Sequence, residues 1–113
     1  MEEQKLLRIS ERKKYEMQGL LPDESATEKL AVYFQNFADA TTLKILSALS
    51  IQDLCVNDLS KILRTNQTTI SHQLKTLKNQ EMISYRREGK VLVYRISSQV
   101  VNDIMMYAVN NLV

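Results

Sequence analysis

The sequence has little of what sharp turns, disulfide frameworks and thiolate metal sites require. Its 113 residues include two glycines, one proline and one cysteine. The single cysteine, Cys55, excludes an intrachain disulfide and any metal site built from several thiolates of one subunit. Because few residues favour sharp turns, the composition favours helices.

Long apolar runs are also absent. No run approaches the roughly 18 to 20 residues needed to cross a bilayer, and the charged start Met1-Glu2-Glu3 lacks the apolar centre of a secretion signal. We therefore expect a cytoplasmic protein with no membrane partner. The chain also lacks a phosphate-binding glycine loop and a catalytic arrangement of paired carboxylates. We expect a protein that is not an enzyme and that needs no cofactor.

Positive charge is concentrated in one part of the chain, although the net charge of the whole is only +2. Residues 61 to 95 hold eight basic and two acidic side chains, a net charge of +6, which leaves −4 on the remainder. A basic segment of this kind is typical of a surface that binds a polyanion such as nucleic acid.

The first part of the chain predicts an extension followed by helices. We expect an N-terminal extension over residues 1–22, at most a marginal helix, and one domain over residues 23–113. The extension is either a solvated arm or an ordered arm that contacts a partner or phosphates. Ser25-Ala26-Thr27-Glu28 has capping-box spacing and predicts a helix start. Asp39 is the next expected cap, for a helix beginning at Ala40.

The middle of the chain predicts a helix-turn-helix. Asn57 and Asp58 are the expected caps of a brief helix, and Asn66 caps a second helix that extends to Asn79. The apolar stripe of this second helix consists of Ile70, Leu74 and Leu77. Its opposite face is polar. A short helix, a tight turn and a polar-faced second helix are the helix-turn-helix arrangement, in which the second helix recognises DNA.

The last third predicts a hairpin and a terminal helix. After Glu81 the apolar period changes to alternation, and Glu88-Gly89-Lys90 supplies a turn with a basic tip. A hairpin beside a helix-turn-helix is a wing. From about Ser98 the chain predicts a helix whose broad apolar face needs a partner surface. The expected fold class is α+β, mainly helical with a small β-hairpin: a winged helix-turn-helix.

The side chains predicted to contact DNA lie on the recognition helix and the hairpin. They are Gln67, Thr68, Thr69, Ser71, His72 and Lys75 on the helix, and Arg86, Arg87 and Lys90 on the hairpin. Short polar and amide groups suit base edges, and cations suit phosphates. Gln73 either joins this face or points inward. The alternatives are an ordinary solvated helix face, and cations that protect strand edges from pairing.

With this order of elements in place, the chain from Lys29 to Val113 resembles the ArsR/SmtB family of bacterial repressors. The resemblance rests on three segments: Asp53-Leu54-Cys55-Val56-Asn57-Asp58-Leu59, Ile70-Ser71-His72-Gln73-Leu74-Lys75-Thr76-Leu77, and Arg87-Glu88-Gly89-Lys90 leading into Tyr94. It implies homodimers that pair through the first and last helices, bind palindromic operator DNA and release it when an inducer binds. The dimer interface expected on this basis consists of Leu30, Phe34, Val101, Ile104, Met105, Ala108 and Leu112.

The resemblance is strongest to the cadmium- and lead-sensing branch, but the metal ligands are not matched. Of that branch's Cys-Val-Cys motif only Cys55 is present, and Asn57 occupies the position of the second thiolate. The family's zinc site on the terminal helix corresponds here to Ser98, Val100 and Asn111. These residues cannot replace an aspartate and histidines as a set. We expect no metal site, and the inducer is not indicated.

The sequence therefore predicts a sequence-specific DNA-binding repressor that does not respond to metal at the usual family positions. One alternative is a winged-helix protein-interaction module without DNA binding. Another is a thiol-responsive repressor that switches through Cys55, which otherwise is a small buried hydrophobe. Arg64 stands where the family often has glycine, so it either takes a left-handed conformation or shifts the helix end.

Overall fold

The computed structural model describes residues 8–113. The helices are α1 (Glu11–Leu20), α2 (Glu24–Gln35), α3 (Ala40–Ile51), α4 (Val56–Leu63), α5 (Gln67–Asn79) and α6 (Gln99–Leu112), and a 3-10 turn, Asn36–Ala38, follows α2. The strands are β1 (Leu54–Cys55), β2 (Ile83–Glu88) and β3 (Val91–Ile96). Contacts divide the chain into two units between Val32 and Tyr33. The domain boundary expected at residue 22 stays a prediction.

The first unit contains α1 and most of α2. The extension that was expected to be a marginal helix is helical over Glu11–Leu20, where the Ser10 hydroxyl accepts the backbone N–H of Lys13 at 3.0 Å. Residues three and four apart form surface ion pairs, such as Arg12 with Glu16 at 3.4 Å. No residue of α1 is buried. This helix therefore depends on local interactions rather than on a core.

The start of α2 differs from the prediction. The helix begins at Glu24, and Asp23 caps it by accepting the backbone N–H of Ala26 on Oδ1 at 2.8 Å. The predicted capping box at Ser25 is therefore wrong. Aspartate caps a helix about as well as serine. Because Asp23 comes first along the chain and caps the helix, Ser25 lies within the first turn.

The second unit is built around α3. Its buried side chains pack with the stripe of α5, with residues of α6 and with the chain entering β2. The core consists of Ile45, Leu46, Leu49, Leu54, Leu59, Ile70, Leu74, Leu77, Met82, Ile83, Val101 and Met105. Asp39 caps α3 as predicted, accepting the backbone N–H of Thr42 at 2.8 Å. This backbone hydrogen bond, with a smaller contribution from the Thr42 side chain, lowers the pKa of Asp39.

The caps of α4 also differ from the prediction. Cys55, not Asn57 or Asp58, is the residue before the helix. Asp58 lies in the first turn, where its carboxylate accepts the Cys55 thiol at 3.0 Å and the Cys55 backbone N–H at 3.3 Å. The thiol hydrogen bond first, and then the backbone hydrogen bond, lower the pKa of Asp58. At the other end of α4, Arg64 takes the left-handed conformation with φ 53° and ψ 46°.

The sheet is antiparallel with strand order β1-β3-β2. Its hairpin pairs Ile83 with Ile96 through to Glu88 with Val91, and Gly89 has a φ of +64° in the two-residue turn. The short strand β1, which the sequence did not predict, pairs Leu54 with Tyr94 and Cys55 with Val93. A mainly helical chain with a small antiparallel sheet confirms the predicted fold class. Among residues 8–113, none of the helices has both the length and the apolar content that a bilayer span requires.

Candidate nucleic-acid interface

Helix α5 has the two faces that the sequence predicted. Ile70, Leu74 and Leu77 are 0% exposed, so one stripe of the helix is fixed in the core. The Asn66 side chain caps the helix by accepting the backbone N–H of Thr69 at 2.8 Å. The exposed side chains are Gln67, Thr68, Ser71, His72 and Lys75, and Thr69 is half-buried. The polar face is therefore presented by a helix that the core and the cap hold rigidly.

Two glutamines show how the start and the flank of α5 are held. The Gln67 side-chain amide donates to the Asn57 side-chain oxygen of α4 at 3.0 Å, which joins the two helices beside the turn. Gln73 is half-buried and accepts the Thr42 hydroxyl of α3 at 3.4 Å. Of the two orientations open to Gln73, the structure shows the inward one. The positioning role of Asn57 was not predicted from the sequence, because this side chain was assigned to a helix cap.

The hairpin places its cations in two different environments. Arg87 and Lys90 are exposed, and neither forms an ion pair with any residue in 8–113. Arg86 instead contacts Asp53 and Glu88, each at 2.6 Å. The hydrogen bond to Asp53 and then that to Glu88 raise the pKa of Arg86. From the sequence, Arg86 could not be told from the other two cations, because its partner Asp53 lies 33 residues away.

A further contact connects the end of α5 with the hairpin. The Lys78 ammonium lies 5.1 Å from the centre of the Tyr85 ring, and this ring lies 5.5 Å from that of Tyr94. Such cation–π and ring contacts favour one arrangement of helix and hairpin. The recognition helix and the wing are therefore held together both by the core and by this surface cluster.

The residues at the two family metal positions do not fit a metal. Cys55 is half-buried and hydrogen-bonded to Asp58, and beside it Asn57 offers only a neutral amide. At the terminal-helix position Val100 has no donor atom, and the Ser98 hydroxyl is the cap of α6. Within the described residues no three histidine, cysteine or acidic side chains lie close enough to share an ion. Neither position supplies the donor set that Cd²⁺, Pb²⁺ or Zn²⁺ requires.

The predicted dimer residues separate into two groups. Val101 and Met105 are 0% and 3% exposed and belong to the core of one subunit. Met105 also lines an open apolar groove of about 390 Å³, together with Ile104, Ala108 and Leu112.

The two remaining predicted interface residues, Leu30 and Phe34, are 47% and 51% exposed. Both therefore have side-chain surface that a second subunit can cover. The assignment of all seven residues to the dimer interface stays a prediction.

A capped helix pair with an exposed polar second helix, followed by a two-stranded hairpin, defines the winged helix-turn-helix class. Residues 39–85 match the model of the arsR family of bacterial regulatory proteins. The chain is 34% identical over 77 residues to the transcriptional repressor SmtB homolog of Synechocystis, which covers 68% of this chain and 58% of that protein. It is 30% identical over 78 residues to the arsenical resistance operon repressor of Staphylococcus aureus, covering 69% and 75%.

The chain therefore belongs to the ArsR family of bacterial regulatory proteins. It spans somewhat more than half the length of the Synechocystis relative. A solution structure from Mycobacterium bovis, described as a homodimeric winged helix-turn-helix DNA-binding domain and possible ArsR-family regulator, has the same fold. Its TM-score is 0.67 at 24% identity, over 91% of this chain and 86% of that one.

Proposed function

We propose that this protein is a sequence-specific transcriptional repressor that binds double-stranded operator DNA as a homodimer in the cytoplasm. The observation that carries the proposal is the exposed polar face of α5 beside exposed cations on the wing. The names of the relatives, a transcriptional repressor and an operon repressor, support it.

The dimensions and chemistry of α5 suit the major groove. A helix is about 10–12 Å across with its side chains, and the groove is about 12 Å wide. Gln67, Thr68, Ser71 and His72 lie on the exposed N-terminal half of α5, from which base edges are contacted in this motif. We assign direct base contacts to these residues. The half-buried Thr69 lies at the margin of the surface.

Cations around this face supply the contacts that do not depend on sequence. Lys75 is exposed one turn beyond Ser71, and Arg87 and Lys90 are exposed at the wing. We assign Lys75, Arg87 and Lys90 to phosphates. Lys90, at the hairpin tip, can also enter the adjacent minor groove. These contacts set the register of α5 on the duplex, and the helix then distinguishes the bases.

A second copy of the chain would complete both the apolar groove and the operator contact. The groove beside α6 is lined by Ile104, Ala108 and Leu112 and leaves apolar surface in water. Two subunits joined there, with Leu30 and Phe34 contributing, would present two recognition helices to successive major grooves about 34 Å apart. The homodimeric Mycobacterium bovis domain of the same fold supports this assembly.

The first experiment selects bound fragments from the host genome, and the recovered operator is then titrated at several salt concentrations. Lys75→Ala and Arg87→Ala should each weaken binding to all sequences and reduce the salt slope by about 0.9, because each removes one phosphate contact. Lys44→Ala is the matched control, since this exposed lysine of α3 lines a different groove with Ile51 and Ile62. It should change neither quantity.

Three outcomes would change the conclusion. If the parent retains no duplex even at low salt, a protein-interaction module is favoured. If the two variants match Lys44→Ala in affinity and slope, the assigned surface is wrong. Repeating the selection with zinc, cadmium and peroxide tests the signal; release by peroxide that is lost in Cys55→Ser would favour the thiol-responsive alternative.

A further inference from the structure

We propose that Arg86 is a positioning residue that fixes the wing relative to the helix-turn-helix, and that it does not contact DNA itself. The inference deepens the proposed function and rests on it. It separates two adjacent arginines, Arg86 and Arg87, that the sequence assigns to one role.

The side chain of Arg86 extends from β2, past β3, to the segment just before β1. Arg86 of β2 pairs with Val93 of β3, and Val93 pairs with Cys55 of β1. Across the outer face of β3, the Arg86 Nη1 reaches the Asp53 Oδ2 at 2.6 Å. The Arg86 Nε meets the Glu88 Oε2, also at 2.6 Å. One guanidinium therefore connects the last residues before the turn of the wing with the segment that enters β1.

The charge balance of this cluster argues against a phosphate contact. Two carboxylates surround one cation, so the cluster carries a net charge of −1 and would repel a phosphate brought to its surface. Arg87 points to the opposite face of β2, because adjacent strand residues alternate, and it has no carboxylate partner within residues 8–113. The cation of the pair that is available to DNA is therefore Arg87.

The cluster connects the wing with the helix-turn-helix, because each of its two ends lies only a few residues from one of these elements. Asp53 lies two residues before Cys55, which is the N-cap of α4. Arg86 and Glu88 lie just before Gly89 at the hairpin tip. Half-exposed ion pairs contribute little to the stability of a domain. We therefore assign this one to the orientation of the wing.

The sign of one substitution separates positioning from phosphate contact. Asp53→Asn removes a negative charge close to Arg86. If Arg86 contacted a phosphate, its release from Asp53 would tighten operator binding. If Arg86 positions the wing, Asp53→Asn should weaken binding about tenfold, because the phosphate contacts of Arg87 and Lys90 are then less well placed. Arg86→Gln should show the same loss.

Arg87→Gln and Asp103→Asn are the matched controls. Arg87→Gln removes the neighbouring positive charge and should reduce the salt slope by about 0.9. Asp103→Asn removes an exposed carboxylate of α6 that accepts the Gln99 amide at 2.8 Å, and should leave affinity as in the parent. Binding by Asp53→Asn that equals or exceeds that of the parent would overturn the proposal.

A second measurement does not require DNA. Amide hydrogen exchange in β1 and β3 should accelerate in both Asp53→Asn and Arg86→Gln, and not in Arg87→Gln, because only the first two loosen the sheet. A parent protein that binds no duplex would refute the proposed function, and the exchange rates would still decide whether Arg86 holds the wing. Unchanged exchange in both variants would reject the positioning role.

Discussion

The helices α5 and α6 bury similar apolar stripes but expose opposite kinds of surface. Helix α5 buries Ile70, Leu74 and Leu77 and presents hydroxyl, amide and cationic groups to solvent. Helix α6 buries Val101 and Met105. Its exposed side chains are nevertheless largely apolar: Val100, Met106, Tyr107, Val109 and Leu112.

This difference shows which partner each helix requires. Apolar surface left in water costs roughly 25 cal/mol per Å², so the side of α6 that lines the groove, with Ala108, Val109 and Leu112, favours cover by another protein surface. The outer face of α5 is well hydrated, and protein–DNA interfaces are polar and contain bridging water. In the proposed complex, a nucleic acid completes α5 and a second subunit completes α6.

The largest expected effect comes from a charge in the groove of α6. Ala108→Glu places a carboxylate among apolar side chains, so the dimer should dissociate at micromolar concentration. Because two linked sites bind with an avidity about 10² to 10⁴ higher than one, operator affinity should fall by about that factor. Sedimentation and operator titration at matched concentrations measure both quantities.

Asn110→Glu is the control for this charge. Asn110 is exposed on α6, two residues from Ala108 and therefore on the opposite side of the helix. It should leave both the dimer and operator binding intact. A variant Ala108→Glu that stays dimeric would show that the partner surface lies elsewhere, and the contrast between α5 and α6 would lose its explanation.

The second prediction compares one substitution on the two helices. Leu74→Ala removes a side chain that is 0% exposed and should lower the free energy of unfolding by about 2–5 kcal/mol. Leu112 is 78% exposed, so Leu112→Ala should hardly change the stability of the subunit but should weaken its dimerisation. Urea unfolding at two protein concentrations separates the two effects. A large, concentration-independent loss for Leu112→Ala would place that residue in the subunit core.

What the sequence predicted well was local. The caps Asp39 and Asn66, and the start of α6 near Ser98, were identified correctly because a cap depends on residues within one turn. The cap of α2 was misplaced for the same reason: Asp23 and Ser25 both satisfy the local chemistry, and nothing within one turn chooses between them.

What the sequence predicted poorly depended on distant residues. The apolar stripe of α6 was correctly found, but its period does not show that Val101 and Met105 are buried within one subunit while Ile104 and Ala108 are only half-buried beside a groove. Similarly, the partner Asp53 of Arg86 is brought close only by the pairing of β1 with β3, and the two-residue β1 has no signal of its own. Assigning such contacts required the register of the sheet.

The smallest expected effect comes from replacing the N-cap residues of α5 and α6 with aspartate. Asn66→Asp and Ser98→Asp each keep an oxygen for the first-turn N–H and add a negative charge at a helix N-terminus, which should stabilise each variant by about 0.3–1 kcal/mol. As at Asp39, this hydrogen bond should lower the carboxyl pKa, so the gain is present above the unfolded value of about 3.9 and lost as the pH falls through the folded-state pKa.

The two variants should differ once DNA is added. Asn66 is exposed at the end of α5 that we propose enters the groove. A carboxylate there would meet phosphate charge, so Asn66→Asp should weaken operator binding about tenfold at low salt and less at high salt. Ser98→Asp starts the helix assigned to the partner subunit and should bind as the parent does. Equal losses in both variants would mean that α5 is not the helix nearest the duplex, because the DNA phosphates would then repel the added carboxylate equally at the start of α5 and at the start of α6.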